Sequence, residues 1–534
     1  MDNASPSTSP NDLTFGRFSS TPPWELPSAD MPWQKDIEDI RKDNREALLS
    51  VARSHGMPNV FRLFRIYKNL AVAVVPWLIF NLRKFRKGNE QQKNEAGEKL
   101  ARRLRRAFER LGPVFVKMAQ FVSATRGILP EAATDEFKKC RDQVKPESYK
   151  KIRKTIEEDF GRPLEEIFAS FSSEPIASAS IAQVHDAQLL SGEKVVVKVQ
   201  RSVLKRRVPR DIRVLSMIAR LLKKRVKVIA IANPPAIVEL FAEFVSEELD
   251  FRVEAQNMLD IAGSFVRLGQ GGFIVPRPHP ELVTPRVLVM EKLDGIDFED
   301  VKTLDQLGID RLNVVRTQIV GFLEGALIEG VFHGDIHGGN MLILRDSRIG
   351  LLDYGIVGRL TTKQRKAFLS LLVAASNIDI QGQLRALQDL GALGPDADLA
   401  KLEELMFMQM PENASKKEIS AQMQTVLKTM LDSGSNIPKE LALFVKNMLF
   451  LNGAIAELAP ELDLLTEISA IGQQFMLRHA EELFGEMGFM SDSFGFDLTG
   501  IRDFIKPPAA DPDLNWDLLL GAIDKVRENE ANNE

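Results

Sequence analysis

Long stretches of the chain have apolar residues at every third or fourth position, a spacing that predicts amphipathic helices. One apolar stripe is formed by Leu100, Leu104, Phe108 and Leu111. We expect this helix to end at Gly112 and a second helix to begin at Pro113, because proline is favoured at the first helical position. In the second helix Lys117 and Gln120 are three residues apart and therefore share a face.

Alternating apolar positions appear between residues 181 and 200, where two short runs flank the turn sequence Ser191-Gly192-Glu193. This pattern predicts a β-hairpin. Three valines of the second strand point to one side, so Lys198 points to the other side together with Val196. A further strand is predicted from Arg286 to Met290.

A break at Asn233-Pro234-Pro235 marks the start of a long helix whose apolar positions continue to Leu249. We place Glu248, Asp250 and Glu254 on one helix. Residues four apart share a helical face, so Asp250 and Glu254 should point the same way while Glu248 projects differently.

Composition and pattern divide the 534 residues into five regions. They are a disordered leader at 1–35, a helical extension with the Lys117/Gln120 helix at 36–170, a strand-containing region at 171–295, a mainly helical region at 296–460, and a C-terminal helical region with a polar tail at 461–534. The leader is rich in Ser, Thr, Pro and Asn, a composition typical of disorder.

Charge is nearly balanced, with 70 basic and 74 acidic side chains and a formal net charge of -4. No overall field would attract nucleic acid, so we predict no nucleic-acid partner. The single Cys140 excludes an internal disulfide and fits a cytoplasmic protein, with its thiol as a buried apolar group. The basic run 201–227 has only Asp211 as an acid; it indicates a solvated helix face or, alternatively, a contact with an anionic lipid surface or acidic partner.

The segment from Leu70 to Leu82 is the best candidate for a membrane contact. Pro76 interrupts it, and it is shorter than the roughly 20 residues of a spanning helix, so no transmembrane span is predicted. Trp77 and the basic residues between 83 and 87 fit a peripheral contact at the inner face of a membrane. A helix packed on its own domain explains the same residues.

The strongest chemical signal is His333-Gly334-Asp335-Ile336-His337-Gly338-Gly339-Asn340, followed by an apolar strand and Asp353-Tyr354-Gly355. In this order, Asp335 can orient an attacking hydroxyl or water. Asn340 and Asp353 can supply oxygen ligands to Mg²⁺ on nucleotide phosphates.

Upstream, Lys198 and Glu254 occupy the positions of the phosphate-binding lysine and its helix glutamate in protein kinases. Five residues in kinase order favour a kinase-like site over a set of unrelated surface polar groups. A transition-metal hydrolase using His333 and His337 is a rival interpretation. It requires a helix between the two histidines, which the following glycines disfavour.

These residues resemble the UbiB/AarF family, also called the ADCK proteins, of atypical kinase-like ATP-binding proteins, over about residues 111 to 460. The resemblance implies an α+β, protein-kinase-like bilobal fold. Its N-lobe, with a small antiparallel sheet, would occupy 171–295, and its helical C-lobe 296–460.

Three family marks carry the resemblance: the alanine-rich loop Ala177-Ser178-Ala179-Ser180-Ile181-Ala182-Gln183, the Lys-x-Gly-Gln helix as Lys117-Met118-Ala119-Gln120, and Glu-x-Asp as Glu248-Leu249-Asp250. The loop replaces a glycine-rich loop and is expected to bind the nucleotide differently, because alanine resists positive φ. Alanine at 119 departs from the family glycine. The resemblance implies that the Lys117/Gln120 helix lies across the active-site mouth and excludes protein substrates.

Few residues separate Asp353-Tyr354-Gly355 from Thr361, which with Gln364 forms a capping box that opens the next helix. An ordinary activation segment has no room there, so a lipid, a small molecule or water is favoured as acceptor over a protein. Resemblance adds adenine contacts near Met290 and Leu293.

The expected protein is an Mg²⁺-dependent kinase-like ATPase or phosphotransferase that binds ATP or ADP, with slow turnover permitted. The family resemblance points to isoprenoid quinones and related lipids. One alternative is a small-molecule phosphotransferase of the aminoglycoside or choline kinase type, whose catalytic loop also has His-Gly-Asp. The other is a non-catalytic, nucleotide-gated lipid-binding module.

Overall fold

A computed structural model describes residues 31–56, 59–87, 90–124, 146–225, 233–376, 379–393 and 438–459, together with isolated positions that include Trp24, Cys140 and His479. Its helices are α1 (Ile37–Arg53), α2 (Val60–Lys87), α3 (Glu90–Leu111), α4 (Pro113–Ala124), α5 (Tyr149–Phe160), α6 (Leu204–Arg225), α7 (Pro234–Glu247), α8 (Phe251–Arg267), α9 (Val301–Gln306), α10 (Arg311–Leu323), α11 (Thr362–Ser376), α12 (Ile380–Asp389) and α13 (Lys439–Leu458).

The strands are short and lie between residues 168 and 359. They are β1 (Phe168–Phe171), β2 (Ala177–Ser178), β3 (Ala182–Leu189), β4 (Lys194–Gln200), β5 (Phe273–Ile274), β6 (Pro278–Val283), β7 (Val287–Glu291), β8 (Ile296–Asp297), β9 (Val331–His333), β10 (Met341–Ile343), β11 (Ile349–Leu351) and β12 (Val357–Arg359).

The larger sheet has six antiparallel strands in the order β1-β3-β4-β7-β6, with β2 beside β3. The predicted hairpin is confirmed as β3 and β4, which pair from Ala182 opposite Gln200 to Gln188 opposite Lys194. Strand β7 lies on the other side of β4 and pairs Leu288 with Lys198. Lys198 is thus held in a central strand of the sheet.

The two faces of β4 belong to different cores, as the alternation predicts. Its three alternate valines lie in a cluster with Ile152 and Ile156 of α5. Val196 faces the opposite side and lies in the large core with Ala255 and Met258 of α8. Lys198 therefore points toward α8.

The second lobe contains the sheet β5-β11-β10-β8 and the pair β9–β12, with helices around them. Phe444 of α13 packs in the core of this lobe, with its ring 4.6 Å from that of Phe368 and 5.2 Å from that of Phe322. Helix α13 is consequently part of the lobe and not a separate appendage.

The boundary between α3 and α4 is confirmed at Gly112, whose φ of 101° suits glycine. The capping box is also confirmed, since Thr361 N donates to Gln364 Oε1 at 2.9 Å and Gln364 N donates to Thr361 Oγ1 at 3.3 Å.

Part of the predicted disordered leader is ordered. Trp24 Nε1 donates to the Pro278 carbonyl at 3.0 Å, and Trp33 Nε1 donates to the His279 carbonyl at 3.3 Å. Met31 and Trp33 are buried. Disorder is therefore the wrong expectation at these positions, because two large aromatic rings bury apolar area against β6.

Helix α2 is longer than the segment from Leu70 to Leu82, because it continues through Pro76 for 28 residues. A proline inside a helix removes one hydrogen bond without necessarily ending the helix. Trp77 is buried and donates to the Ala96 carbonyl of α3 at 2.6 Å. The interpretation as a packed helix therefore holds for Trp77, whose buried ring does not face solvent.

The rest of the α2 surface exposes many apolar side chains, together with Arg65 and Lys68. The most exposed apolar side chains include Phe61, Phe64, Tyr67, Ile79 and Phe80. By length and composition alone, Val60–Asn81 is a helix that could cross a membrane. The basic side chains at 83–87 lie outside the described part of the chain.

Helix α6 contains most of the basic run. Some of its basic side chains are exposed to solvent, and others bond to neighbouring parts of the protein. Lys205, Arg206 and Arg210 are exposed, as a solvated face requires. Arg220 instead donates to the carbonyls of Ala52 and Ser54 at the end of α1. Residues 226–232 lie outside the described residues.

One buried ion pair joins α2 to α6. Arg62 donates to Asp211 Oδ1 at 2.5 Å and Oδ2 at 2.7 Å, and also to the Leu111 carbonyl at 3.0 Å. Asp211 is fully buried, with Arg207 as a more distant partner at 3.8 Å.

Replacing Arg62 with methionine should lower the free energy of unfolding by about 3 kcal/mol, because a buried carboxylate loses its close partner. Urea denaturation of both proteins measures this difference. The control is Arg53→Met, which breaks an exposed ion pair with Glu239 and should cost less than about 1 kcal/mol. Equal losses for the two variants would contradict the assignment.

Candidate functional site

Three charged groups predicted from the sequence meet between the two lobes. Lys198 Nζ on β4 lies 2.7 Å from Glu254 Oε1 on α8 and 3.1 Å from Asp353 Oδ1 after β11. Lys198 and Glu254 are buried, whereas the Asp353 side chain is 49% exposed. One ammonium thus connects the sheet, the helix and a loop that opens to solvent.

The charges of the two carboxylates outweigh the cost of burying Lys198. Burial alone would lower the pKa of its ammonium, but Asp353 and Glu254 hold that pKa above its ordinary value. Burial alone would raise the pKa of Asp353, but the positive charges of Lys198 and Lys117 hold that pKa below its ordinary value. Both partners of the Lys198–Asp353 contact are therefore charged at neutral pH.

Asp353 adopts a left-handed backbone conformation with φ of 53°, which is uncommon for a residue other than glycine. Its Oδ1 also accepts a hydrogen bond from Gly355 N at 3.1 Å. The next residue is held by α8, because Tyr354 N donates to Glu254 Oε1 at 3.2 Å and Asn257 Nδ2 donates to the Tyr354 carbonyl at 2.9 Å. Such local strain, fixed by neighbours, is common at functional sites.

The prediction that Glu248, Asp250 and Glu254 share one helix is wrong. Helix α7 ends at Glu247, and Asp250 is in an extended conformation as the N-cap of α8, where its side chain accepts from Arg252 N at 3.1 Å. The apolar spacing continues across this break, so periodicity could not reveal it.

Glu248 and Asp250 consequently have different partners. Glu248 Oε1 lies 2.6 Å from Lys117 Nζ, whereas Asp250 Oδ2 lies 2.7 Å from Arg252 Nη2. Burial raises the pKa of Glu248 to about 7, although Lys117 opposes the shift. Gln120 donates to the Cys140 carbonyl at 3.3 Å. Among the residues of the Lys-x-Gly-Gln and Glu-x-Asp marks, Lys117 and Glu248 thus contact each other directly beside the site.

The loop from His333 to Asn340 begins at the end of β9 and is fixed by its own side chains. Asp335 N donates to His333 Nδ1 at 3.2 Å, and His333 Nε2 lies 3.2 Å from the Leu352 carbonyl. Burial lowers the pKa of His333, so the ring is neutral with its proton on Nε2. Asn340 Nδ2 donates to the Asp335 carbonyl at 3.0 Å. His333 therefore braces the loop against the residue before Asp353.

A residue that sequence reasoning missed contacts Asp335. Lys446 of α13 forms an ion pair with Asp335 Oδ1. Despite burial, Lys446, then His337 and Lys117, hold the pKa of Asp335 well below its usual range. The next residue, Asn447, donates to the His333 carbonyl at 2.6 Å and accepts from Ile336 N at 3.2 Å. Nothing in the local sequence signals these contacts, which join positions more than a hundred residues apart.

The alanine-rich loop is held by Arg201, which follows β4. Arg201 Nε donates to the Ala179 carbonyl at 2.9 Å, and Arg201 Nη2 donates to Ser178 Oγ at 2.8 Å. Gln183 is fully buried and accepts a hydrogen bond from Glu147 N. Its side chain is thus used within the protein.

The two residues assigned to adenine lie on either side of the connection between the lobes. Met290 pairs with Val196 near the end of β7 and is buried. Leu293 lies in the following segment, and its Cδ1 is close to Gly350 of β11. Their contact with adenine stays a prediction.

The donor set fits magnesium on a nucleotide better than an independent metal. Asp353 presents a half-exposed carboxylate, and the amide oxygen of Asn340 is a hard donor of the kind Mg²⁺ prefers. In the described parts of the chain, no group of three or more His, Cys, Asp and Glu side chains is arranged to hold a metal ion. Magnesium suits such a site because phosphates and water supply its other ligands.

The rival two-histidine metal site needs a helix between His333 and His337. No helix joins these two residues, so the required geometry is absent there.

The fold and the site together define a protein-kinase-like domain, with a β-strand lysine, a helix glutamate and two acidic loops facing one cleft. A model of the ABC1 atypical kinase-like domain matches residues 139–387. This match confirms the predicted α+β kinase-like fold.

Curated relatives extend the likeness beyond the domain. An uncharacterised protein of Mycobacterium tuberculosis is 32% identical over 407 residues, which cover 74% of this chain and 82% of the relative. An uncharacterised aarF domain-containing protein kinase of Arabidopsis thaliana, named as chloroplastic, is 30% identical over 68% of this chain and 73% of its own length. The probable protein kinase UbiB of Pseudomonas fluorescens is 28% identical over 88% of this chain and 90% of its own length. The chain belongs to the ABC1 (UbiB/AarF) family of atypical kinase-like proteins.

Among solved structures, an Rv3197–erythromycin complex from Mycobacterium tuberculosis matches with a TM-score of 0.36 and 21% identity. The match covers 60% of this chain and 91% of that chain. This likeness is too low to support a functional argument.

The predicted role of Glu254 is to hold Lys198 where nucleotide phosphates are expected. Replacing Glu254 with glutamine should therefore weaken Mg-ATP binding about tenfold, or roughly 1.4 kcal/mol, because Lys198 would move toward Asp353. Isothermal titration calorimetry measures the dissociation constant. Asp346→Asn, which breaks an exposed contact with Arg348, is the control and should leave affinity unchanged. Wild-type affinity in the Glu254 variant would contradict this role.

Proposed function

We propose that this protein binds Mg-ATP and transfers its terminal phosphate to a small or lipid acceptor, or to water. The observation that carries the proposal is the contact of Lys198 with both Glu254 and Asp353. Protein kinases need these three groups together to position nucleotide phosphates and metal.

Each polar group has a defined role in this proposal. Lys198 binds the α- and β-phosphates, and Glu254 keeps its ammonium in place. Asp353 and Asn340 would hold Mg²⁺, which would supply positive charge that stabilises the phosphates. Asp335 accepts a hydrogen bond from the attacking oxygen and aligns that oxygen with the terminal phosphorus.

The transfer breaks the bond between the terminal phosphorus and the β–γ bridging oxygen and forms a bond from the acceptor oxygen to that phosphorus. ADP leaves with the bridging electron pair. The acceptor loses its proton to Asp335 or to the transferred phosphate. Asp335 needs little basicity here, because phosphoryl transfer relies mainly on positioning and charge. Its lowered pKa is compatible with that role.

The proposed acceptor is a small molecule or lipid because the region next to the site is crowded. Residues 356–360 form the entire connection from the Asp353 turn to α11, and β12 within it pairs with β9. On the other side, Lys117 of α4 reaches Glu248 beside the site. A peptide substrate would have neither a supporting segment nor an open approach. An isoprenoid quinone-related lipid is the acceptor class that the family resemblance suggests.

The exposed face of α2 supports a membrane location for this chemistry. Phe61, Phe64 and Phe80 are each more than half exposed, although aromatic rings normally bury in a soluble core. A helix with one apolar face toward the lipid and another packed on the protein lies in the plane of a membrane surface.

Replacing Asp335 with asparagine should lower the rate of phosphate release from Mg-ATP at least about 100-fold, because the attacking oxygen loses its orienting carboxylate. Phosphate release is measured with and without anionic vesicles, and nucleotide binding is measured in parallel. ATP affinity should stay within about threefold of wild type, as expected for a group that touches the acceptor.

Other outcomes separate the alternatives. Equal rates for wild type and Asp335→Asn would remove Asp335 from the chemistry. ATP binding without turnover under any condition would favour the nucleotide-gated module. Phosphorylation of soluble alcohols would favour a phosphotransferase of the aminoglycoside or choline kinase type.

Substituting serine for Phe61, Phe64 and Phe80 together should remove most binding to anionic vesicles, because the apolar area that enters the lipid is lost. Vesicle co-sedimentation measures the bound fraction. A double Leu190→Ser, Leu221→Ser variant, which changes exposed leucines elsewhere, is the control. Unchanged binding by the α2 variant would argue against this face.

A further inference from the structure

The catalytic loop lacks a strong cation of its own. The sequence from His333 to Asn340 contains no lysine or arginine. Phosphoryl transfer concentrates negative charge on the terminal phosphate, and kinase-like sites place cations beside it. Among the described contacts of Asp335, the ammonium comes from Lys446 of α13.

The position of Lys446 is fixed by its neighbours on α13. Leu443, Lys446 and Asn447 lie at i, i+3 and i+4, so they share one helical face. Asn447 is fully buried and bonds to the backbone of the loop on both sides of Asp335. Leu443 lies over Gly334, where an added Cβ would come within 3.2 Å of its Cδ1. This face of α13 is therefore built onto the loop.

The other lysines near the cleft have partners of their own. Lys198 contacts Glu254 and Asp353. Lys117 contacts Glu248 at 2.6 Å. Lys446 is the ammonium that lies against the carboxylate assigned to the acceptor.

We propose that Lys446 is a catalytic residue whose ammonium binds the terminal phosphate of the bound nucleotide. This inference rests on the proposed function. An acceptor oxygen bonded to Asp335 must lie in line with the terminal phosphorus, so a cation that touches the same carboxylate lies within a few ångströms of the phosphate oxygens. The Lys446 side chain is 27% exposed and can therefore turn from the carboxylate to the more highly charged phosphate.

The test compares Lys446→Met, Lys446→Arg and wild type for kcat and KM in Mg-ATP hydrolysis and for affinities of ATP and ADP. Lys446→Met should lower kcat about 100-fold and weaken ATP binding about tenfold, while ADP binding stays unchanged because ADP lacks the terminal phosphate. Lys446→Arg should restore a large part of both losses, since it keeps the charge.

The matched control is Lys439→Met. Lys439 lies two turns earlier on the same face of α13 and forms an ion pair with Glu247 of α7 instead of with Asp335. It should alter thermal stability without changing kcat or the preference for ATP over ADP. Equal weakening of ATP and ADP by Lys446→Met would indicate a structural role and overturn the proposal. Faster turnover in that variant would also overturn it, because Lys446 would then act as an inhibitory contact.

The outcome for Lys446 can be separated from that of the proposed function. Suppose that the wild type hydrolyses ATP, that Asp335→Asn abolishes this activity and that Lys446→Met behaves as the wild type does. That result would contradict the Lys446 proposal and leave the proposed function intact. Without any wild-type turnover the proposed function fails, yet the loss of ATP preference in Lys446→Met would still support the phosphate contact. Absence of nucleotide binding by wild type would overturn both.

Discussion

The contact of one buried ammonium with two carboxylates is the constraint on which the site depends. Lys198 comes from the sheet, Glu254 from α8 and Asp353 from the loop after β11, so their ion pairs fix the distance between the two lobes. Removing the Lys198 ammonium would leave the carboxylate of Glu254 buried without its cationic partner, at a cost of several kcal/mol. The contact proposed to position phosphates is therefore also a contact that stabilises the cleft.

Cations from outside the matched domain reach the acidic groups of this cleft. Residues 139–387 match the family model, yet Lys117 on α4 and Lys446 on α13 lie beyond it on either side. They pair with Glu248 and Asp335, respectively. Repulsion among the carboxylates is reduced by these contacts, because each added cation lowers the local negative charge. The N-terminal extension and α13 thus take part in the electrostatics of the site.

Local rules predicted the elements that bring kinase-like residues to the site. Alternation placed Lys198 on the α8 side of β4, and the capping box located the start of α11. The same rules failed at residues 248–250, where one apolar spacing continues through two helices separated by an N-cap. They also could not show that Trp33 packs on β6. Such contacts depend on surfaces that meet only after folding, and a short-range pattern contains no information about them.

The contact between Lys446 and Asp335 shows most clearly what sequence patterns cannot predict. A lysine on an amphipathic helix is usually solvated, so no local pattern distinguishes Lys446 from the other lysines. Lys446 differs because Asn447 bonds α13 to the backbone on both sides of Asp335, and because Phe444 packs the helix into the lobe core. An ammonium held by both a polar and an apolar anchor has a defined place beside Asp335. A loop that contains no lysine or arginine can therefore receive from a distant helix the ammonium charge that the proposed phosphoryl transfer requires.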